Sequence, residues 1–318
     1  MGKTGLAMLA AGSMALSACA AHGRVVGTIP LPPQVEYPEG IAADAQGRLY
    51  VASAADGIVL RMRRRGGSAE VLSGPGRIVA VDPQLFPEML GLKLDDLGRL
   101  WIMGGRTGKI SVLDANSGKL LDQFTVTGEG STLNDAVVLP DGAYVTDTAR
   151  PILWRLARDG TEVGGPTPWI DFTGTPLQYG PGRNLNGIVA DPSGRYLIVI
   201  QMDKGLLFRI DTASKEVTPI AVVGGAITNG DGLVLDGRLL YIARQAEGEI
   251  ATIRLAPDFL SGEVVSRFRD PALTWLATAA KVGDELLVVD SQFNRHAAGN
   301  PVKPFSLVAI PIEKLRGD

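Results

Sequence analysis

Glu39-Gly40-Ile41-Ala42-Ala43-Asp44-Ala45-Gln46-Gly47-Arg48-Leu49-Tyr50-Val51 is the stretch that decides the fold, because the chain repeats its pattern. The phrase is Gly-apolar-x-apolar-Asp, two or three residues, Gly-Arg, then an apolar run. It returns as Gly91-Leu92-Lys93-Leu94-Asp95 to Gly98-Arg99-Leu100-Trp101-Ile102, and as Asn186-Gly187-Ile188-Val189-Ala190-Asp191 to Gly194-Arg195-Tyr196-Leu197. A copy with a shorter turn runs from Asp231-Gly232-Leu233 to Gly237-Arg238-Leu239-Leu240-Tyr241. Looser copies start at Asn134-Asp135-Ala136 and Leu276-Ala277-Thr278 and resume at Asp141-Gly142-Ala143 and Gly283-Asp284-Glu285. Apolar runs on either side of an Asp/Gly turn read as a β-hairpin.

The copies recur every 45 to 50 residues or so, which is the length of four short strands and their turns. Several units supply the second pair of strands. Gly205 to Ile210 and Glu216 to Thr218 flank a turn at Asp211 to Lys215, and Lys109 to Leu113 is followed by Leu120 to Val126. This arrangement predicts an all-β, six-bladed β-propeller of four-stranded blades. Val25 to Leu31 reads as a stray strand that closes the ring by completing the sixth blade. Trp101, Tyr144 and Tyr241, mid-strand after the turns, are expected in the core between blades.

Composition agrees with many short elements. The 318 residues include 40 Gly and 20 Pro, about a fifth of the chain, against about one residue in eight on average. Hydrophobic residues at 45% and charged residues at 20% exclude a disordered or fibrous chain. The net charge is −3, and the only basic cluster is Arg61, Arg63, Arg64 and Arg65, which reads as a solvated hairpin. Nucleic acid is not an expected partner. Length alone suggests about two domains, but the repeat makes residues 25–318 one domain, expected to be monomeric.

Cys19 is the sole cysteine, so no internal disulfide can form. Lys3 and the apolar, small-residue stretch Gly5 to Ala18 look like an export signal, too short to span a membrane. Leu16-Ser17-Ala18-Cys19 has the form of a bacterial lipobox. Residues 1–18 are therefore expected to be a lipoprotein-type signal peptide, Cys19 the lipidated residue and 19–24 a tether. The protein is expected in the periplasm or anchored to a membrane by its lipid alone.

In a propeller the first strand of each blade lines the axis, so equivalent residues converge at one mouth. The position before the recurrent Gly-apolar pair reads Glu39, Leu90, Asn134, Asn186, Asp231 and Leu276. Four of these carry oxygen donors in a register otherwise apolar. Two carboxylates and two amide carbonyls suit one hard divalent cation, calcium first, with magnesium, manganese and zinc left open. An Asn-Gly or Asp-Gly pair alone is a turn signal; four donors in one register of a repeat are more than that.

Pro38-Glu39-Gly40, Leu133-Asn134-Asp135, Asn186-Gly187 and Asp231-Gly232 resemble the gluconolactonase/regucalcin (senescence-marker-protein) family and, at wider remove, diisopropyl fluorophosphatase and paraoxonase. The resemblance spans the mature chain. It implies that Glu39, Asn134, Asn186 and Asp231 hold one catalytic divalent metal, usually calcium, and that the substrate is a lactone or related small ester. Asp231 would be metal ligand and either general base or nucleophile. The sugar-lactonase members carry an Arg two residues before the third-blade Asn. Here Thr132 stands there, which departs from an aldonolactone site, and Thr274, Trp275 and Leu276 give the sixth blade a more apolar wall.

Other candidates lie near this mouth. His296 could shuttle protons, and Asn184, Gln292 and Thr132 could contact substrate. No Gly-x-Ser-x-Gly elbow supports a serine triad. Two other readings stay open: a non-catalytic binding propeller with a structural metal, and a phosphotriesterase-like hydrolase suited to the apolar wall.

Overall fold

Asp44 shows how the repeated phrase folds. Its Oδ1 accepts the backbone N–H groups of Gln46 and Arg48, and its Oδ2 accepts from Arg48 Nε and Tyr50 Oη. Asp95 does the same with Leu97, Arg99 and the Trp101 indole. The carboxylate thus replaces the hydrogen bonds that the turning backbone gives up, and a left-handed glycine, Gly47 (φ 74°) or Gly98 (φ 73°), reverses the chain.

The structure is a computed structural model describing Met1 and residues 27–64, 69–78 and 86–317. The expected signal peptide, Cys19, the tether, Val25, Val26 and Arg65 lie outside the described residues. Within them the chain is almost all β. Helix is confined to two short 3-10 turns, Phe293–Arg295 and Ile312–Leu315.

Strand β1 (Gly27–Pro30) is followed by the meander β2 to β5 (Pro38–Ala43, Arg48–Ser53, Val59–Arg63, Glu70–Ser73). The next four-stranded sheet is β6 to β9 (Leu92–Leu94, Arg99–Met103, Lys109–Asp114, Leu120–Thr125). A third sheet holds β10 to β14 (Leu133–Leu139, Gly142–Asp147, Ile152–Asp159, Glu162–Val163, Thr167–Asp171). Then come β15 to β18 (Leu185–Ala190, Tyr196–Gln201, Leu206–Asp211, Val217–Val223) and β19 to β22 (Gly230–Asp236, Leu239–Arg244, Glu249–Leu255, Ser261–Arg269). The chain ends with β23 to β25 (Leu276–Val282, Glu285–Asp290, Ser306–Pro311).

Hydrogen bonding corrects the expectation of separate four-stranded sheets. The third sheet has five strands, because β12 pairs with both β13 and β14. The runs β15–β18 and β19–β22 form one eight-stranded sheet, joined by a parallel pair in which Ala221 to Val223 lie beside Ser261 to Glu263. The N-terminal strand behaves as expected: β1 pairs antiparallel with β25 and completes the last sheet from the opposite end of the chain.

Apolar faces of successive strand runs close on one another all the way round. Tyr50 and Val59 pack with Leu100 and Ile102, Trp101 and Val112 with Val145 and Trp154, and Tyr144 and Leu153 with Leu197 and Val199. Ile198 and Ile200 meet Leu240 and Ile242. Tyr241 and Ile250 meet Leu286 and Val288, and Leu287 and Val289 return to Leu49 and Val51. Each fully buried aliphatic or aromatic side chain is worth about 1.5–3 kcal/mol. Because the last cluster joins the first, the ring has no open end. Trp101, Tyr144 and Tyr241 sit in these clusters, 0–1% exposed.

The first strands carry a common irregularity at one end. Their ladders with the second strands slip between Pro38 and Ile41, Leu133 and Ala136, Leu185 and Ile188, Gly230 and Leu233, and Leu276 and Ala279. Such a bulge takes two residues out of the ladder and re-aims their side chains. The pairs released are Glu39-Gly40, Asn134-Asp135, Asn186-Gly187, Asp231-Gly232 and Ala277-Thr278. In the last unit, therefore, the counterpart of the oxygen-donor position is Ala277, one residue beyond Leu276. Leu276 is a ladder partner of Asp290 and is fully buried.

Candidate metal centre

The bulges place Glu39, Asn134, Asn186 and Asp231 on one cavity of about 750 Å³. All four are buried, 3–8% exposed. Glycine makes this convergence sterically feasible. A Cβ on Gly40 would stand 2.3 Å from the Leu90 carbonyl oxygen, one on Gly187 2.5 Å from the Asp231 carbonyl oxygen, and one on Gly91 2.6 Å from that of Asn134. Neighbouring first strands touch backbone to backbone there, so any side chain would push them apart.

The third unit puts Asp135 where the other three donor-bearing units have Gly40, Gly187 and Gly232. Its carboxylate accepts from Lys93 Nζ at 2.9 Å and from the Ile188 N–H at 3.3 Å. The backbone beside it is fixed by Thr146, whose hydroxyl accepts from the Asp135 N–H and donates to the Asn186 carbonyl at 2.7 Å. An ion pair with a buried carboxylate and a partly exposed lysine thus lies next to the four donors.

The electrostatics of the donors are those of a site short of positive charge. Burial pushes the Glu39 carboxyl well above the usual carboxylate range, with Asp231 and Asp135 adding repulsion and Lys93 partly offsetting it. Burial likewise pushes Asp231 up to about 8; the Arg183 guanidinium and the Asn186 and Gln245 amides oppose the rise, while Asp135 adds to it. Glu39 Oε2 and Asn186 Oδ1 are buried acceptors with no hydrogen-bond donor among the described residues. Orphaned acceptors of this kind cost free energy unless something positive meets them. The donor set fits a hard divalent cation: all oxygen, two formal charges, no sulfur. Among the described residues no cluster of three His, Cys, Asp or Glu side chains has metal-binding spacing, so a cation here would depend on the two amides.

Around the donors the wall divides by chemistry. Phe86, Pro87, Leu90, Trp275 and Phe293 form an apolar side; Ser131, Thr132, Thr148, Arg183 and Gln245 form a polar one. Gln245 Nε2 donates to Asp231 Oδ2 at 2.8 Å. Arg183, Arg106 and Gln245, which also line the cavity, carried no sequence signal: they lie on loops outside the repeated phrase, and their residue types do not recur from unit to unit.

The remaining sequence candidates are placed unevenly. Thr132 lines the cavity, and its N–H is held by Asp147 Oδ1 at 2.9 Å. Asn184 does not line it. Its Nδ2 donates to the Gly180 and Gly182 carbonyls and its Oδ1 accepts from Gly180 N–H and Gln201, so its amide is spent on the loop before Asn186. Gln292 is buried, and both ends of its amide clasp the Val302 backbone, at 3.0 and 2.8 Å. His296 stacks on Phe86 with ring centres 3.5 Å apart and meets Tyr37 edge-on. It stands behind the apolar wall and is not a lining residue.

Comparison with known proteins places this geometry on a recognised fold. Residues 25–62 match the family described as strictosidine synthase-like, N-terminal. No curated protein matches the sequence. Among solved structures, the chain is similar to a gluconolactonase from Xanthomonas campestris, with 18% identity over 90% of this chain and 89% of that one and a TM-score of 0.62. It is also similar to a calcium-binding protein, regucalcin, from Agrobacterium tumefaciens (18% identity, 91% and 93% covered, TM-score 0.57). A virginiamycin B lyase from Staphylococcus aureus is similar too (15% identity, 83% and 80% covered, TM-score 0.59). The fold is an all-β propeller, and its structural neighbours include gluconolactonase and regucalcin-like propellers.

Proposed function

We propose that the chain is a divalent-cation-dependent hydrolase of a lactone or other small ester, with calcium as the ion. The observation that carries this reading is the set Glu39, Asn134, Asn186 and Asp231. Four buried oxygen donors, supplied by four different first strands at one bulge register, line one cavity, and two of their acceptors are orphaned. A gluconolactonase and a calcium-binding regucalcin among the similar structures agree with it. The ring is read as six blades, the eight-stranded sheet being two blades whose outer strands have zipped together. The working form is a monomeric, exported domain tethered through Cys19, and the lipid would be found by mass spectrometry of the membrane fraction.

When bound, the cation supplies Lewis-acid polarisation of an ester carbonyl and of water. Glu39, Asn134, Asn186 and Asp231 would hold it. Asp231 also presents a carboxylate to the substrate, where it takes a proton from an attacking water or adds to the carbonyl carbon itself. The apolar wall receives the substituent of the ester and keeps bulk water from that side. Thr132 offers a hydroxyl where a sugar-selective site would need a cation, so the substrate is an ester or lactone other than an aldonolactone.

A histidine-to-alanine variant of the neighbouring lyase is catalytically inactive. No histidine lines this cavity among the described residues, which favours cation-assisted hydrolysis over that chemistry. The test is a panel of lactones, aryl esters and phosphotriesters, assayed with calcium and with a chelator. Calcium-dependent turnover of a lactone or carboxylic ester supports the reading. Turnover confined to phosphotriesters would move the substrate class, and none at all would leave a binding propeller.

A further inference from the structure

Between Arg183 and Asp231 runs a chain of hydrogen bonds in which every donor and acceptor is dictated by its neighbour. Asp203 anchors Arg183: Oδ1 accepts from Nε at 2.9 Å and Oδ2 from the backbone N–H at 2.8 Å. Asn229 Oδ1 accepts from Arg183 Nη2 at 2.9 Å, and its own Nδ2 donates to Glu247. Arg183 Nη1 then donates to Gln245 Oε1 at 2.6 Å, and Gln245 Nε2 donates to Asp231 Oδ2 at 2.8 Å. A guanidinium can only donate, so the Gln245 Oε1 must face Arg183 and its Nε2 is left to face Asp231. Gln245 is 6% exposed, so solvent gives its amide little alternative.

The chain crosses from one repeat unit to the next. Arg183 lies three residues before Asn186 on the entry to β15, and Gln245 follows β20 in the unit that carries Asp231. It therefore links two donor-bearing bulges through side chains, in addition to the backbone contact at Gly187.

We propose that Gln245, oriented by Arg183, is a positioning residue for Asp231: its amide N–H fixes the rotation of the carboxylate and so decides which oxygen faces the cation and the substrate. The inference rests on the hydrolase reading for its kinetic consequence, but the geometry it asserts can be read without turnover. Glutamine is required because the group must accept at one end and donate at the other. Glutamate keeps the bond to Arg183 and loses the donor; methionine keeps the volume and loses both.

The test uses the full mature chain and the variants Q245E, Q245M, R183M and the double R183M/Q245M, each checked by thermal melting. Calcium affinity is measured by titration calorimetry, and kcat and KM on whichever ester the wild type hydrolyses. Loss of a group that orients a metal ligand typically costs 10- to 100-fold in metal affinity or activity. Q245E and R183M are each expected to lose about 10-fold or more in calcium affinity and in kcat, with KM little changed. The double variant should be no worse than Q245M, because both changes break one chain. Wild-type affinity and kcat in Q245E, or fully additive losses in the double variant, would overturn the proposal. If the wild type neither binds calcium nor hydrolyses any ester, the hydrolase reading falls and the side-chain amide resonances of Gln245 decide the geometry. Two distinct, slowly exchanging signals that shift in R183M support the chain of bonds; averaged signals, or no shift, refute it.

Discussion

The two ends of the axial channel are built from the same first strands and have opposite chemistry. At one end lie Glu39, Asn134, Asn186 and Asp231 on a cavity of about 750 Å³. At the other, two or three residues further along each strand, Ile41, Leu92, Val137, Val189 and Leu233 line a smaller one of about 330 Å³, where Lys93 and Lys281 are the charged side chains. Ordinary ladder pairing runs through the second set, and bulges sit at the first. The bulge, more than the strand, makes the site. It frees two residues per strand from sheet geometry, so the strand's start can present a donor while its remainder stays in a packed barrel.

Removal of a donor should be the largest effect. Asp231→Ala and Glu39→Ala are expected to cut ester turnover by at least about 100-fold and to abolish stabilisation by calcium. Kinetics on a responsive ester and melting with and without the ion read both. A variant that keeps its turnover would dissolve the contrast between the two ends.

Next comes the glycine beside a donor. An added methyl at Gly187 would lie 2.5 Å from the Asp231 carbonyl oxygen and 2.9 Å from Leu233. Overpacking of this kind costs about 1–3 kcal/mol, and here it also displaces Asp231. Gly187→Ala should therefore lower both melting temperature and turnover. Gly237→Ala, in a hairpin turn with φ 62° and nothing within 4 Å, should lose about 1 kcal/mol of stability through backbone strain and leave turnover alone. Equal activity losses would mean that close approach at the mouth has no special role.

These glycines also explain how much could be read from sequence. The donor register was legible because three of the four donors precede a glycine that close strand approach demands, and an Asp-to-Arg turn phrase recurs after the register, with the same hydrogen bonds at Asp44 and Asp95. The last unit lacks that marker. Thr278 occupies the glycine position there, so the register looks as if it belonged to Leu276 when the bulge places it at Ala277. The joining of β18 to β22 was not legible either, since it depends on two outer edges meeting side by side. Arg183, Gln245, Phe86 and Phe293 come from loops that obey no repeat, and only the closed ring brings them to the donors. His296, Asn184 and Gln292 were singled out for their chemistry, whereas their ring faces and amides are occupied by packing and backbone bonds.

A pH titration separates the ends without mutation. Burial raises Asp231 to about 8 and raises Glu39 in the folded chain. A carboxyl whose folded pKa lies above its unfolded value adds stability below the unfolded value and loses it as pH rises through the folded one. Chelated protein should thus melt at progressively lower temperature from about pH 4 to pH 8, because over that interval unfolding releases the proton that Asp231 holds in the folded chain. On the proposed reading calcium would take the ionised pair and flatten that slope, its affinity rising over the same interval as protons are released. A flat profile in chelator would show that the two carboxyls are not held apart from solvent as the cavity implies.

The smallest effect belongs to the far end. Lys281 Nζ meets Asp236 Oδ1 at 2.6 Å, both side chains being partly exposed, 37% and 26%. Exposed pairs of this type contribute about 0–1 kcal/mol, so Lys281→Met should move the melting temperature by no more than about 2–4 °C. It should leave kcat, KM and calcium affinity at wild-type values, because Lys281 touches none of the donors and its removal leaves every bulge in place. Lys93 cannot serve for this comparison: it lines the far end but ends on Asp135, next to Asn134, and so belongs to both. Should Lys281→Met change turnover, the far end would be part of the path by which substrate or product moves along the axis, and the channel could no longer be divided into a working mouth and a packed floor.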